Sequence, residues 1–158
     1  MQRKRNVIHF LVSILVLFFV QTAWAGVKVV QDDCPVFIAS NVMGGQVVQH
    51  PNGMYSMMGV ITGFTANEFP LNVTFKTLTN FISVARYKPV TSALVLTDGS
   101  GKNNMSRYEF EMKFDRMGAM YTQIVDWKSN FPSEGFYALN VFVDGTLVGY
   151  YPFYVGAR

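Results

Sequence analysis

The chain has 158 residues, of which 50% are hydrophobic and only 15% charged, and it carries a net charge of +3 at pH 7. Its thirteen Lys and Arg stand against ten Asp and Glu, and three of the thirteen are Arg3, Lys4 and Arg5, so the remainder of the chain is balanced. That balance removes the main argument for nucleic acid, which needs a basic stripe to neutralise phosphates, and none is expected as a partner; a local pair such as Arg86 with Lys88 reads as a solvated face. The length is that of one ordinary domain.

The first element in chain order is a leader. After the three basic residues, 7–20 are apolar apart from His9 and Ser13, and Ala23-Trp24-Ala25 supplies the small residues of a cleavage site. This pattern predicts a secretory signal peptide at 1–25 and a single mature domain at 26–158. The apolar run is shorter than the ~20 residues that a spanning helix needs, so no stable membrane span is expected once the leader is removed. The expected location is exported, periplasmic or secreted. Cys34 is the one cysteine. An exported domain without disulfide pairs must be stabilised by burial, and a free cysteine commonly packs as a small hydrophobe.

From there the chain reads as short runs of alternating apolar and polar residues separated by turn signals. Strands are predicted at 28–31, 36–42, 46–50, 55–62, 71–76, 91–97, 107–115, 120–127, 137–143 and 146–155. Leu71, Val73 and Phe75 alternate with Asn72, Thr74 and Lys76. The clearest run places Tyr108, Phe110, Met112 and Phe114 on one face and Arg107, Glu109, Glu111, Lys113 and Asp115 on the other, a sorting that only a strand achieves. Asn52-Gly53 and Asp144-Gly145 predict two-residue hairpin turns, where positive φ is needed. Met117-Gly118 predicts a third hairpin, between 107–115 and 120–127. Residues 98–104 form a polar loop that lacks the Gly-Lys-Ser/Thr ending of a phosphate-binding loop. The fold class is therefore all-β, a sandwich of about eight to ten short antiparallel strands behind a signal peptide, with a small barrel as the alternative.

Ser133-Glu134-Gly135-Phe136-Tyr137-Ala138-Leu139 resembles the segment that leads into the F strand of immunoglobulin-like domains. The Asp144-Gly145 turn and the last strand then resemble the F–G hairpin. The resemblance covers about the last 25 residues. It implies an immunoglobulin-like sandwich in which Tyr137 folds back to hydrogen-bond the backbone at the corner. Leu139 stands where antibody domains carry a cysteine, so no inter-sheet disulfide is implied. The chain as a whole also resembles small exported bacterial β-sandwich proteins that lack an assigned function. No activity transfers from a fold.

Catalytic side chains are sparse. His50 is the one histidine after the leader; it could serve as a base with Ser40 or Ser56, but no nucleophile elbow accompanies it. It adjoins a Pro51-Asn52-Gly53 turn, where a surface histidine is ordinary. A metal reading groups His50, Met54 and Met57, because imidazole and thioether sulfur suit Cu(I). Met43 and Met58 lie in the same segment. The competing reading is that methionines fill gaps in the core.

The C-terminal hairpin carries the strongest binding signal. The Asp144-Gly145 turn pairs Val143 with Thr146 and Phe142 with Leu147. Continued alternation puts Tyr137, Leu139, Val141 and Val143 on one face and Phe142, Leu147, Tyr151 and Phe153 on the other. Both faces are apolar; one can cover the core, and the other needs a cover of its own. Phe142, Leu147, Tyr151 and Phe153 are the expected partner-binding residues, for a protein partner or self-association. The functional expectation is an exported non-catalytic binding protein or an accessory subunit of a cell-envelope assembly, with no cofactor. The alternatives are a periplasmic copper-binding protein and a hydrolase with an unrecognised site.

Overall fold

A computed structural model describes residues 34–84 and 89–158. The leader expected at 1–25 and the strand expected at 28–31 lie outside the described residues. Among the described residues the chain forms strands and no helix: β1 (Val36–Gln49), β2 (Tyr55–Val60), β3 (Gly63–Ala66), β4 (Leu71–Ser83), β5 (Val90–Asp98), β6 (Asn104–Met112), β7 (Met120–Phe131), β8 (Gly135–Val143) and β9 (Thr146–Ala157). They build two sheets, ordered β2-β1-β4-β7 and β3-β9-β8-β5-β6. This is an all-β sandwich of the immunoglobulin-like type. The β9-β8-β5 order is that of the G, F and C strands in that fold.

Alternation decides which side chains meet between the sheets. On β4, Phe75, Thr77, Thr79 and Phe81 are fully buried, while Asn72 and Thr74 face solvent. β7 pairs with β4 along its whole length, from Leu71↔Phe131 to Ile82↔Met120, and this register puts Trp127 beside Phe75. The two rings stack with centroids 6.0 Å apart. Trp127 is completely buried, and its Nε1 donates to Thr77 Oγ1 at 2.9 Å, so its one polar atom is satisfied. From the opposite sheet, Leu94, Leu96, Leu139 and Val141 close the core without measurable exposure. Each such side chain contributes about 1.5–3 kcal/mol by leaving water. That is how the domain holds together without disulfides. Cys34 is half-buried against this core, and its thiol donates to the Val36 carbonyl oxygen at 3.0 Å.

Asp144 (φ 47°) and Gly145 (φ 79°) close β8–β9 as the expected two-residue turn. The β1–β2 turn is wider than the expected Asn52-Gly53 pair: the His50 amide donates to the Met54 carbonyl oxygen, the Gly53 amide (φ 80°) donates to that of His50, and Asn52 does not take the positive φ of a type I′ turn. Tyr137 Oη donates to the Ser133 carbonyl oxygen at 2.8 Å, which is the backbone bond that the immunoglobulin resemblance implies.

Four further expectations are corrected. The 36–42 and 46–50 runs are one strand, β1, that continues through Gly44-Gly45. The 55–62 run stops at Val60, after which a separate short strand, β3, crosses to the other sheet. β3 pairs parallel with β9, so the sandwich is not wholly antiparallel. Met117-Gly118 does not close a hairpin, because β6 and β7 belong to different sheets. The Gly118 amide donates to the Ser83 carbonyl oxygen at 2.7 Å and the Ser83 amide donates to that of Ala119 at 3.0 Å, so the chain is captured by the end of β4 before it can return along β6.

Candidate functional site

The outer face of the five-stranded sheet is organised by an irregularity in its β8–β9 pair. Val143↔Thr146 and Phe142↔Leu147 pair as the turn dictates, but the next pair is Val141↔Gly149. Val148 is therefore an extra residue on β9, and a bulge of this kind re-aims every side chain beyond it. Glycine accommodates the tight backbone: a Cβ at position 149 would lie 2.6 Å from Ile38 Cδ1 and 2.8 Å from the Tyr151 ring.

The bulge reverses half of the expected partner face. Phe153 pairs with Tyr137 on the inner side and is only 4% exposed, with its ring 5.9 Å from that of Phe131. Tyr151 pairs with Leu139, packs against the core, and has its phenol pKa raised by burial. Neither belongs to an outer surface. Phe142 and Leu147 do face outward, Phe142 half-buried and Leu147 exposed. In place of the two inward rings the bulge presents Tyr150 and Tyr154. With Phe136, opposite Tyr154, they complete an apolar group: Phe136 is 65% exposed, Tyr150 56%, Leu147 50% and Tyr154 46%. Phe136 and Tyr154 pack edge to face at 5.1 Å, which holds both rings in place on the surface.

Beside this aromatic group the face is made of small side chains. Ala93, Val95 and Thr97 of β5 and Ala138 of β8 all lie on this face and are buried. Asn140 is held there by a 3.0 Å bond from its Nδ2 to Thr97 Oγ1. The far edge is charged: Arg107 pairs with Glu109, and Lys113 with Glu111 at 3.0 Å. The face thus runs from an ion-paired rim, across small residues, to a cluster of rings. Exposed rings beside a polar, ion-paired edge are a combination that protein-docking surfaces use.

The metal and hydrolase candidates lie elsewhere, on the β1–β2 hairpin. His50 Nε2 meets Ser56 Oγ at 2.7 Å in an exposed setting. Met54 lines the same concavity, whereas Met57 projects from the other face of β2, towards Gly44. The three expected copper donors are therefore not brought together. Among the described residues no group of three or more His, Cys, Asp or Glu gathers. Asp32 and Asp33, the acids that could orient His50, lie outside the described residues. The 98–104 loop organises itself instead: the Asp98 carboxylate accepts from the Ser100 hydroxyl (2.6 Å), the Ser100 amide and Asn103, and these bonds hold its pKa below 3.8.

Fold and surface together define a small β-sandwich with a ring-bearing outer face. The chain belongs to the family of unknown function DUF6941, which matches residues 44–156. No curated protein matches it. Among solved structures, it is similar to the Pseudomonas fluorescens alkylpurine DNA glycosylase AlkC bound to DNA containing an abasic site analogue, at 12% identity and a TM-score of 0.48 over 78% of this chain and 31% of that one. It is also similar to a putative beta-galactosidase from Bacteroides fragilis (9% identity, TM-score 0.42, 78% and 16% covered). A third similarity is to an immunoglobulin-like protein from Pseudomonas aeruginosa (17% identity, TM-score 0.39, 79% and 99% covered). The chain spans less than a third of the two enzymes' lengths.

Proposed function

We propose that this chain is an exported, non-catalytic binding module, an accessory component of a cell-envelope assembly, that docks a protein partner on the outer face of its five-stranded sheet. The observation that carries the reading is the exposure of Phe136, Leu147, Tyr150 and Tyr154 together on one sheet face. Aromatic anchors supply most of the energy of such interfaces, and contiguous exposed apolar patches are otherwise rare on monomers. The leader pattern of 1–25 supports the address, and the scarcity of histidine and cysteine in the sequence, with no cluster of ligating or acidic groups among the described residues, supports a binding role over a catalytic one.

Affinity capture from the native envelope tests the reading, with the wild type compared with Tyr150→Asp/Tyr154→Asp. A protein retained by the wild type should be lost from the variant. Each removed anchor should weaken binding by at least about 2 kcal/mol, while the circular dichroism spectrum stays unchanged because both side chains face solvent. Equal retention by the two forms would contradict the proposal.

A further inference from the structure

We propose that the open edge of β2 is a self-association surface, on which two copies of this chain pair their Tyr55–Val60 strands antiparallel across a two-fold axis. Among the described residues β2 pairs with β1 alone. β1 itself leaves β4 at Gly44↔Lys76, so residues 45–60 project as a two-stranded ribbon on which no residue is buried. A two-stranded hairpin is marginal in water, and a third strand is what it lacks.

Comparison of the four sheet edges singles β2 out. Natural edges are blunted by charge or by shortness. β6 carries Arg107, Glu109 and Glu111; β7 carries Asp126 and Lys128; β3 has only four residues. β2 has neither protection. It reads Tyr-Ser-Met-Met-Gly-Val, and from Cys34 through Asn67 the chain contains no Asp, Glu, Lys or Arg. Met54, Met58 and Val60 are 62%, 55% and 64% exposed along the ribbon.

The absence of charge also selects the occupant. An uncharged strand gives a charged partner no electrostatic steering. It meets its own copy with no charged side chain to desolvate, whereas the other long edges would bring ions of both signs into the contact. An antiparallel pair about a two-fold is self-complementary: each residue faces its symmetry mate's counterpart, and the contact closes as a dimer.

Sedimentation of the chain, expressed in full and purified as the cell delivers it, tests this. The wild type should form a dimer as concentration rises through the micromolar range. Ser56→Lys/Met58→Lys, which puts like charges on both facing strands, should remain monomeric with an unchanged fold. Phe136→Asp/Tyr154→Asp should leave the dimer intact, which separates this contact from the proposed docking face. Concentration-dependent hydrogen exchange of the wild type gives a second readout, with protection at 55–60 growing on dimerisation. A monomer at all concentrations, a dimer that survives the two lysines, or 55–60 amides whose exchange ignores concentration would overturn the proposal.

Discussion

Ser129 puts a hydroxyl oxygen inside the sandwich with no hydrogen-bond partner. An unsatisfied buried group carries a desolvation penalty of about 1–3 kcal/mol, so Ser129→Ala should stabilise the fold by about 1 kcal/mol in urea unfolding. A loss of stability would show that the hydroxyl has a role. Tyr137 is the opposite case. Tyr137→Phe removes the bond to Ser133 and should cost about 0.5–1.5 kcal/mol without altering the core packing of the ring. Asp98 governs a pH response. Its folded pKa is lowered by its hydrogen bonds to Ser100 and Asn103, so the order it gives the 98–104 loop is fully present above 3.8 and is lost as pH falls through the lowered value. An NMR titration should place its midpoint below 3.8, with loop amides losing protection over that window; a midpoint at or above the ordinary value would contradict the geometry. Of these three residues only Tyr137 was legible in the sequence, through the resemblance of Ser133–Leu139 to the segment that leads into an immunoglobulin-like F strand. The Trp127–Thr77 bond spans fifty positions, and no local pattern encodes it.

At the scale of the element, the bulge at Val148 decides which rings meet solvent. Two-residue periodicity read the hairpin correctly as far as Val148, which packs against the core as expected, and the residues from Gly149 on in the wrong phase. The cause is long-range: Gly149 packs under Ile38, a residue of the other sheet. Gly149→Ala should therefore destabilise by about 1–3 kcal/mol through overpacking. Restored or raised stability in that variant would mean that the close approach is not what holds the bulge. The same logic explains the other differences. Gly44-Gly45 looks like a break, yet a strand passes through it because β2 and β4 both pair there at Gly44. β6 and β7 look like a hairpin, yet Gly118 and Ala119 bond to Ser83 and divert the chain. Strand existence followed from alternation, and the two glycine turns from positive φ. Sheet membership followed from neither, because it depends on partners distant in sequence.

For the whole molecule, the sandwich presents two apolar surfaces of different character. One is a flat, side-chain face of rings on the five-stranded sheet; the other is an uncharged backbone edge on the four-stranded sheet. The first contains half of the partner residues that the sequence pointed to, Phe142 and Leu147, and exchanges Tyr151 and Phe153 for Tyr150 and Tyr154. The second was hidden in a segment whose histidine and methionines drew attention to metal chemistry. Placed on separate sheets, the two surfaces allow a dimer that keeps both docking faces open. The most direct measurement is site-specific photocrosslinking in living cells, with the photoreactive residue at position 150 and, as the control, at Lys113 on the charged rim. The account predicts a covalent adduct between position 150 and a protein other than this chain, and none from position 113. No adduct from position 150, or adducts only with a second copy of the chain, would contradict it.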